Sequence, residues 1–134
     1  MRLLGIDYGK KRVGVALSDD KGLMAFPKAV LPNDNYLFTE VRRLIESNEI
    51  DTVVVGESKD YAMRDNSIMS KARAFADELK RELDVVVVYE PELLTSHQAA
   101  QTGHALGKTD MIDASAAAII LQSYIDRKKE GERI

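Results

Sequence analysis

Hydrophobic positions follow two different periods along this chain, and the change of period separates predicted strands from predicted helices. Apolar runs at 2–7, 13–17 and 23–31 are separated by turn residues. The first two flank a loop that contains glycine, which is typical of a β-hairpin. The third run contains Pro27, so it indicates an edge strand or an irregular one. We therefore expect three antiparallel strands at the start of the chain.

The middle of the chain alternates between helical and strand patterns. Apolar residues recur at a helical spacing over 37–45 and over 68–83, and Ser67 can cap the second of these helices. The run at 52–55 is β-branched and apolar, as in a strand buried on both faces, and 85–88 repeats that pattern. Strands that alternate with helices in this way imply parallel pairing with right-handed crossovers.

The rest of the chain completes a mixed α/β domain. Residues 57–66 are mostly charged or amide-bearing and predict a surface loop. We expect a short helix over 95–102, a mobile loop over 103–108 and a long terminal helix over 111–129. A length of 134 residues fits one domain spanning 1–134.

Composition narrows the chemistry that this domain can perform. The chain has no cysteine, which excludes disulfides, cysteine-ligated zinc, iron–sulfur clusters and thiol catalysis. Its 19 basic and 22 acidic residues give a net charge of −3, so it lacks the overall basicity of many nucleic-acid binders. No stretch approaches the roughly 20 apolar residues that span a bilayer, so a soluble cytoplasmic protein is expected.

Acidic residues occupy unusual places at the ends of predicted elements. Asp7 closes the first strand, Glu90 and Glu92 are expected just past the last strand, and Asp113 lies in the first turn of an otherwise apolar helix. A carboxylate beside apolar elements loses hydration unless a cation compensates. If these carboxylates meet in one crevice, their oxygens suit Mg²⁺ or Mn²⁺. The alternative is that they are solvated acids, with Asp113 favoured by the helix dipole.

Basic residues cluster beside the first of these acids. Residues 1–16 carry four basic side chains against one acid, a net charge of +3. Lys10, Lys11 and Arg12 follow Asp7 directly, within a segment whose glycines allow backbone amides to approach a phosphate. This pattern favours phosphate capture at one edge of an acidic protein, although a solvated hairpin tip would look the same.

Five blocks of the sequence together resemble one known family. They are GIDYGKKRVGVALSD at 5–19, VVVGES at 53–58, KARAFADEL at 71–79, PELLTSHQA at 91–99 and DMIDASAAAIILQSY at 110–124. In order and spacing they resemble the YqgF family, small bacterial proteins described as Holliday junction resolvases and as nucleases that mature the 5′ end of pre-16S rRNA. The resemblance implies an RNase H-like mixed sheet, three antiparallel strands followed by two parallel ones, with the first strand central and helices on its faces.

The resemblance also implies roles for particular residues. Asp7, Glu92 and Asp113 would be the catalytic, metal-binding carboxylates. The family usually has Asp-Glu-Arg at the second acidic site, where this chain has Pro91-Glu92-Leu93, so Glu90 is an alternative to Glu92. A basic residue expected two places before Asp113 is Met111 here, and Lys108 is a candidate to replace it.

Together, these expectations predict a metal-dependent nuclease. Two Mg²⁺ or Mn²⁺ ions would support hydrolysis of phosphodiester bonds, and Lys10, Lys11, Arg12 and Lys108 would bind nucleic acid. The favoured role is 5′-end processing of pre-16S rRNA in ribosome biogenesis, by a monomer or homodimer that acts on an rRNA precursor or precursor particle. The alternatives are a Holliday junction resolvase acting on branched DNA, for which two cuts predict a dimer, and a non-catalytic RNA-binding assembly module. A sugar-kinase or actin-like ATPase is disfavoured, because that class needs two such domains.

Overall fold

Five strands and three helices form the part of the protein that the computed structural model describes. Its backbone is described for residues 2–57, 67–91 and 109–132, and its side chains for the same residues except 67, 109–113 and 132. The strands are β1 (Arg2–Tyr8), β2 (Arg12–Ser18), β3 (Ala25–Pro32), β4 (Ile50–Glu57) and β5 (Val86–Pro91). The helices are α1 (Leu37–Ser47), α2 (Ser67–Leu83) and α3 (Thr109–Glu132). The surface loop was expected over 57–66, but Glu57 is the last residue of β4. The rest of that loop, the helix expected over 95–102 and the loop expected over 103–108 lie outside the described residues.

The strands form one mixed sheet with β1 at its centre, in the order β3-β2-β1-β4-β5. Strand β1 pairs antiparallel with β2, where Ile6 lies opposite Val15, and β2 pairs antiparallel with β3. On its other side β1 pairs parallel with β4, and β4 pairs parallel with β5. The expected arrangement of three antiparallel and two parallel strands is confirmed.

Alternation of side chains along β1 divides the molecule into two cores. Leu4 and Ile6 pack on one face of the sheet, where α1 and α2 cover it, whereas Leu3 packs on the other face beneath α3. Strand β4 is buried on both faces as predicted, since Val53 and Val55 join the first core and Val54 joins the second. Odd-numbered positions of β1 therefore face α3.

Helix α3 lies unusually close to β1 at Gly5. A Cβ atom at this position would lie 2.9 Å from the carbonyl oxygen of Ala117 and 2.9 Å from Cβ of Leu121. These separations are shorter than side-chain contacts tolerate, so only glycine lets the helix backbone rest on the strand. Gly5 thus sets the distance between the central strand and the terminal helix.

The two edge strands differ in how well their sequence patterns predict burial. The prediction from Pro27 is confirmed, because β3 is an edge strand and half of its eight residues are exposed. The pattern at 85–88 predicts a strand buried on both faces, and this is wrong, since β5 is the other edge and Val86 is 58% exposed. An apolar run shows that a segment pairs in a sheet, but it does not show whether another strand covers its outer edge.

Candidate active site

Asp7 lies at the carboxyl end of the central strand, on the face of the sheet that α3 covers. Leu3 and Gly5 precede it at two-residue intervals on that face, and both contact α3. Because strand side chains alternate, Asp7 follows them on the same side. Its side chain is half-buried. The structure therefore places Asp7 near a strand end and beside apolar elements, as the sequence predicts.

The direction of α3 brings its N-terminal turns toward Asp7. Leu3, at the start of β1, lines a cavity together with Ile125, whereas Gly5 meets Ala117 and Leu121. Helix α3 thus runs antiparallel to β1. Asp113 lies four residues before Ala117, about one helical turn, in the direction in which β1 continues to Asp7. The backbone places these two acidic positions at the same end of the molecule, and the side chain of Asp113 lies outside the described set.

Glu90 is inside β5 rather than past its end, which corrects the expected position. Its side chain is 3% exposed, and both carboxylate oxygens have partners in α3. Ser123 Oγ donates a hydrogen bond to Oε2 at 2.9 Å, and the guanidinium of Arg127 donates to Oε1 at 2.5 Å. A buried carboxylate needs such partners because desolvation disfavours its charge. Glu90 thus joins β5 to α3, while Glu92 lies outside the described residues.

The opposite face of the same strand end is held by α2. Arg73 donates a hydrogen bond to Glu57 at the end of β4, at 3.2 Å, and its guanidinium lies 5.9 Å from the ring centroid of Tyr89 in β5. Burial raises the pKa of the Tyr89 hydroxyl, and the negative charge of Asp77 raises it further. The carboxyl ends of β4 and β5 are therefore fixed to helices on both faces, directly before the segment that contains Glu92.

The predicted basic residues lie in the turn that joins β1 to β2, at the Asp7 end of the sheet. Lys10, Lys11 and Arg12 are all exposed. Gly9 is required in this turn, because a Cβ there would overlap the carbonyl oxygen of Arg12. Asn33, directly after β3, holds the turn by donating a hydrogen bond to the Gly9 carbonyl at 2.8 Å. Three of the four predicted nucleic-acid contacts thus share one rim with Asp7, and Lys108 lies outside the described residues.

Several contributors to this site carry no signal in the sequence. Arg127 lies in a charged helix end that resembles an ordinary solvated tail, and Ser123 and Asn33 are common polar residues at unremarkable positions. Tyr8, directly after Asp7, packs against Phe75 with ring centroids 5.7 Å apart. Long-range partners such as these emerge only once the sheet order is known.

The described side chains do not by themselves form a metal site. Among them, no three histidine, aspartate or glutamate residues are grouped closely enough to hold an ion. Two of the three predicted ligands, Glu92 and Asp113, are not in that set. The Ser115 hydroxyl, two residues after Asp113, is buried and has no hydrogen-bond partner within the described part of the chain. It is a further oxygen near the N-terminal end of α3. Among the described helices, none is both long and apolar enough to cross a membrane.

Comparisons with known proteins identify close relatives in sequence and more distant ones in structure. The family model described as "RuvX: Holliday junction resolvase" matches residues 1–127. A Sulfurihydrogenibium protein (strain YO3AOP1) named "Putative pre-16S rRNA nuclease" is 32% identical, with 94% of this chain and 90% of the relative covered. A protein of the same name from Streptococcus uberis is 33% identical, with 95% and 99% covered.

Solved structures extend the likeness to the fold. RuvC of T. thermophilus in complex with a Holliday junction substrate superposes with a TM-score of 0.64 at 19% identity, with 96% of each chain covered. The Fowlpox virus resolvase, also in complex with a Holliday junction, gives 0.61 at 14% identity, with 96% of this chain and 99% of that one covered. The architecture is thus that of the RNase H-like resolvases. With nearly the whole sequence matched by its model, the chain is a member of the RuvX family of nucleases, the YqgF family that its sequence resembles.

Proposed function

We propose that this protein is a metal-dependent endonuclease that hydrolyses phosphodiester bonds in structured nucleic acid, with its catalytic centre at Asp7. The observation that carries the proposal is the placement of Asp7. It is half-buried at the end of the central strand, faces the N-terminal end of α3 and shares its rim with three basic side chains. An acid beside a phosphate-attracting rim serves a phosphodiester substrate only if a cation neutralises it.

The chemistry of the donor set fits a hard divalent cation. Asp7, Glu92 and Asp113 would hold Mg²⁺ or Mn²⁺ through carboxylate oxygens, and the chain has no cysteine to offer a softer metal. When two such ions are bound, they activate a water and stabilise the leaving oxygen of an in-line displacement. With both bound, the formal charge of the protein would change from −3 to +1, which suits a polyanionic substrate.

Glu92 is the second carboxylate in this proposal, with Glu90 as the alternative. The contacts of Glu90 favour this choice, since Ser123 and Arg127 already use both of its oxygens. A ligand role for Glu90 would require those contacts to break and would leave Arg127 without its partner. Glu90 is better explained as the residue that fixes the end of β5, two positions before Glu92.

The chain's own residues would bind and orient the substrate. Lys10, Lys11 and Arg12 would hold backbone phosphates beside Asp7, with Lys108 as a fourth contact. Because Gly9 and Asn33 fix the turn that carries them, these cations are presented in a defined place. A fixed phosphate positions the neighbouring scissile bond against the carboxylates.

An rRNA precursor is the favoured substrate, and trimming of its 5′ end in ribosome biogenesis is the favoured role. The relatives above 30% identity carry the pre-16S rRNA nuclease name, whereas the junction-bound structures are below 20% identity and support the fold alone. Resolution of a four-way junction in recombination is the second candidate, supported by the description of the matching family. A resolvase makes two symmetric cuts and therefore predicts a dimer, whereas end trimming needs one site. A non-catalytic RNA-binding assembly module is the third.

Cleavage of matched substrates tests this proposal. The purified protein is incubated with Mn²⁺ and either a 5′-extended 16S precursor leader or a four-way DNA junction, and its oligomeric state is measured in the same buffer. We expect a monomer that cuts the precursor and not the junction, with all cutting lost in EDTA. Preferential cutting of the junction by a dimer would instead establish the resolvase. Binding of the precursor without any cutting would establish the non-catalytic module.

A further inference from the structure

The cavity that Leu3 and Ile125 line lies at the opposite end of the sheet from Asp7. It has a volume of about 220 Å³ and opens between the turn after β2 and the C-terminal turns of α3. Its apolar lining comes from Leu3, Leu23 and Ile125, and three lysines, Lys21, Lys128 and Lys129, complete the wall with Gly22. The cavity therefore combines an apolar surface with a cluster of positive charge.

Among the side chains that the structure describes, those of residues 2–57, 68–91 and 114–131, none forms a salt bridge or side-chain hydrogen bond with any of the three lysines. Two acids near the cavity accept hydrogen bonds from other groups. Asp19 accepts the backbone N–H groups of Leu23 and Met24, at 2.7 and 3.1 Å, and Asp126 accepts a hydrogen bond from Gln122. Because the three lysines line one cavity and like charges repel one another, an anion bound there is favoured.

The wall of the cavity is held in place before any ligand arrives. Gly22 adopts a φ of 69°, which fixes a tight turn, and its N–H bonds the carbonyl oxygen of Asp19 at 3.0 Å. Gln122 of α3 accepts the N–H of Ala25 at 2.8 Å and donates to the carbonyl of Leu23 at 3.3 Å. The turn is thus tied to the helix that carries Lys128 and Lys129, and a preformed site loses less entropy on binding.

We propose that this cavity is a second nucleic-acid contact, in which the apolar wall receives one nucleobase while Lys21, Lys128 and Lys129 hold the adjoining phosphates. The proposal deepens the nuclease function and rests on it for the identity of the ligand. The volume is below the roughly 300–1,000 Å³ of sites for drug-sized ligands, so the cavity suits a single ring. Proteins that bind single strands without sequence preference combine cations for the backbone with aromatic side chains on which bases stack, and aliphatic side chains would take the place of the aromatic ones in this cavity.

The position of the cavity suits a strand that extends from the catalytic centre. Leu3 and Asp7 are four residues apart on β1, or about 13 Å at about 3.3 Å per residue. That separation equals about four nucleotides of a helical strand at about 3.4 Å each, and the path over the surface is longer. Lys28 is exposed on the outer strand β3, between the rim at 10–12 and the cavity. A substrate that reaches both sites must therefore exceed four nucleotides.

Salt-dependent binding of a long RNA tests this contact in the absence of divalent metal, where no cleavage occurs. The variant K128A/K129A removes two lysines of the cavity, and K71A/K80A removes two exposed lysines of α2 as a control of equal charge and helix propensity. For a 15-nucleotide single strand, we expect K128A/K129A to lower the slope of log K against log[salt] by about 0.7 per lost contact and to weaken binding at 0.1 M salt by about tenfold or more. The control is expected to match the parent protein. Equal slopes for the two variants would overturn the proposal.

Small ligands test whether a base is recognised as well as a phosphate. A mononucleotide is expected to shift the amide resonances of Leu3, Gly22 and Ile125, and ribose 5-phosphate is expected to bind more weakly because it lacks the base. Equal binding of the two, or equal competition by a polyglutamate peptide of matched charge, would overturn the assignment to a nucleotide. These measurements do not depend on cleavage. A protein that binds RNA through Lys128 and Lys129 but cuts nothing would refute the nuclease function and leave this contact standing.

Discussion

Glu90 carries a buried side chain, 3% exposed, within two residues of a predicted metal ligand. Its partner Arg127 is more than half exposed, with 58% of its side-chain surface accessible. Water therefore screens one half of the ion pair and not the other. Loss of Arg127 would destabilise the folded state, because Glu90 would remain buried without the cation that compensates for its desolvation.

We predict that Arg127→Met lowers the free energy of unfolding by about 2 kcal/mol, the range for a hydrogen bond to a charged group. The loss should shrink in an E90Q background, because a neutral amide at position 90 no longer needs a cation. Urea denaturation of both single variants and the double variant gives this coupling. Arg81→Met, which removes only an exposed ion pair with Glu82, is the control and should change stability by less than about 1 kcal/mol. Additive effects of E90Q and R127M would contradict the account.

Individual residues also show where sequence reasoning about the site succeeds and where it stops. Asp7 could be selected because a carboxylate that ends an apolar strand is recognisable from the sequence alone. The pairing of Glu90 with Arg127 could not be predicted from the sequence, because 37 residues separate the two and their contact depends on how α3 crosses the sheet. Local patterns report local structure, whereas a buried charge is explained by its tertiary partner.

The contact between β1 and α3 is the element pairing on which the site depends. Gly5 lets the helix backbone approach, and Asp7 follows two residues later on the same face. If the helix moved outward at Gly5, its N-terminal turns would move away from Asp7 as well. The close approach of α3 to β1 at Gly5 is thus coupled to the distance between α3 and Asp7.

We predict that Gly5→Ala destabilises the fold by about 1–3 kcal/mol, the usual cost of overpacking, because the new methyl group meets a backbone oxygen and a fixed Cβ. Gly131→Ala is the matched control, since a Cβ at position 131 has nothing within 4 Å. It should be neutral or slightly stabilising, because alanine favours the helix. Thermal or urea unfolding of the two variants measures the difference. Equal stability of both would show that α3 does not rest on β1 as described.

Hydrophobic periodicity predicts most of the strands and helices, and there is a physical reason where its prediction fails. Strand β4 was predictable because its valines are buried from both sides, and β3 because proline is tolerated at an edge. Strand β5 has the same valine-rich pattern as β4, yet its outer edge is open and Val86 is exposed. Its end also extends to Pro91, so that Glu90 belongs to the sheet. Whether a strand is covered or lies at an edge depends on the order of the strands in the sheet, and that order is a property of the whole chain.

The molecule as a whole gathers its proposed chemistry along the carboxyl end of the parallel strands. Asp7 lies one residue before the end of β1, the ends of β4 and β5 are fixed to α2 and α3, and the basic turn after β1 lies on the same rim. The net charge of −3 is compatible with a nucleic-acid substrate because bound divalent metal would neutralise the acids nearest to it. The central claim is that Asp7 holds this metal.

Cleavage by an Asp7→Asn variant shows whether Asp7 holds the metal. The substitution keeps the size of the side chain and removes the charge that a divalent ion needs. A metal contributes several kcal/mol to transition-state stabilisation, and each 1.36 kcal/mol is tenfold in rate. We therefore expect the Mn²⁺-dependent rate on the preferred substrate to fall by at least about 100-fold, with the urea midpoint close to that of the parent protein. Cleavage at the parent rate by a folded Asp7→Asn protein would contradict the account.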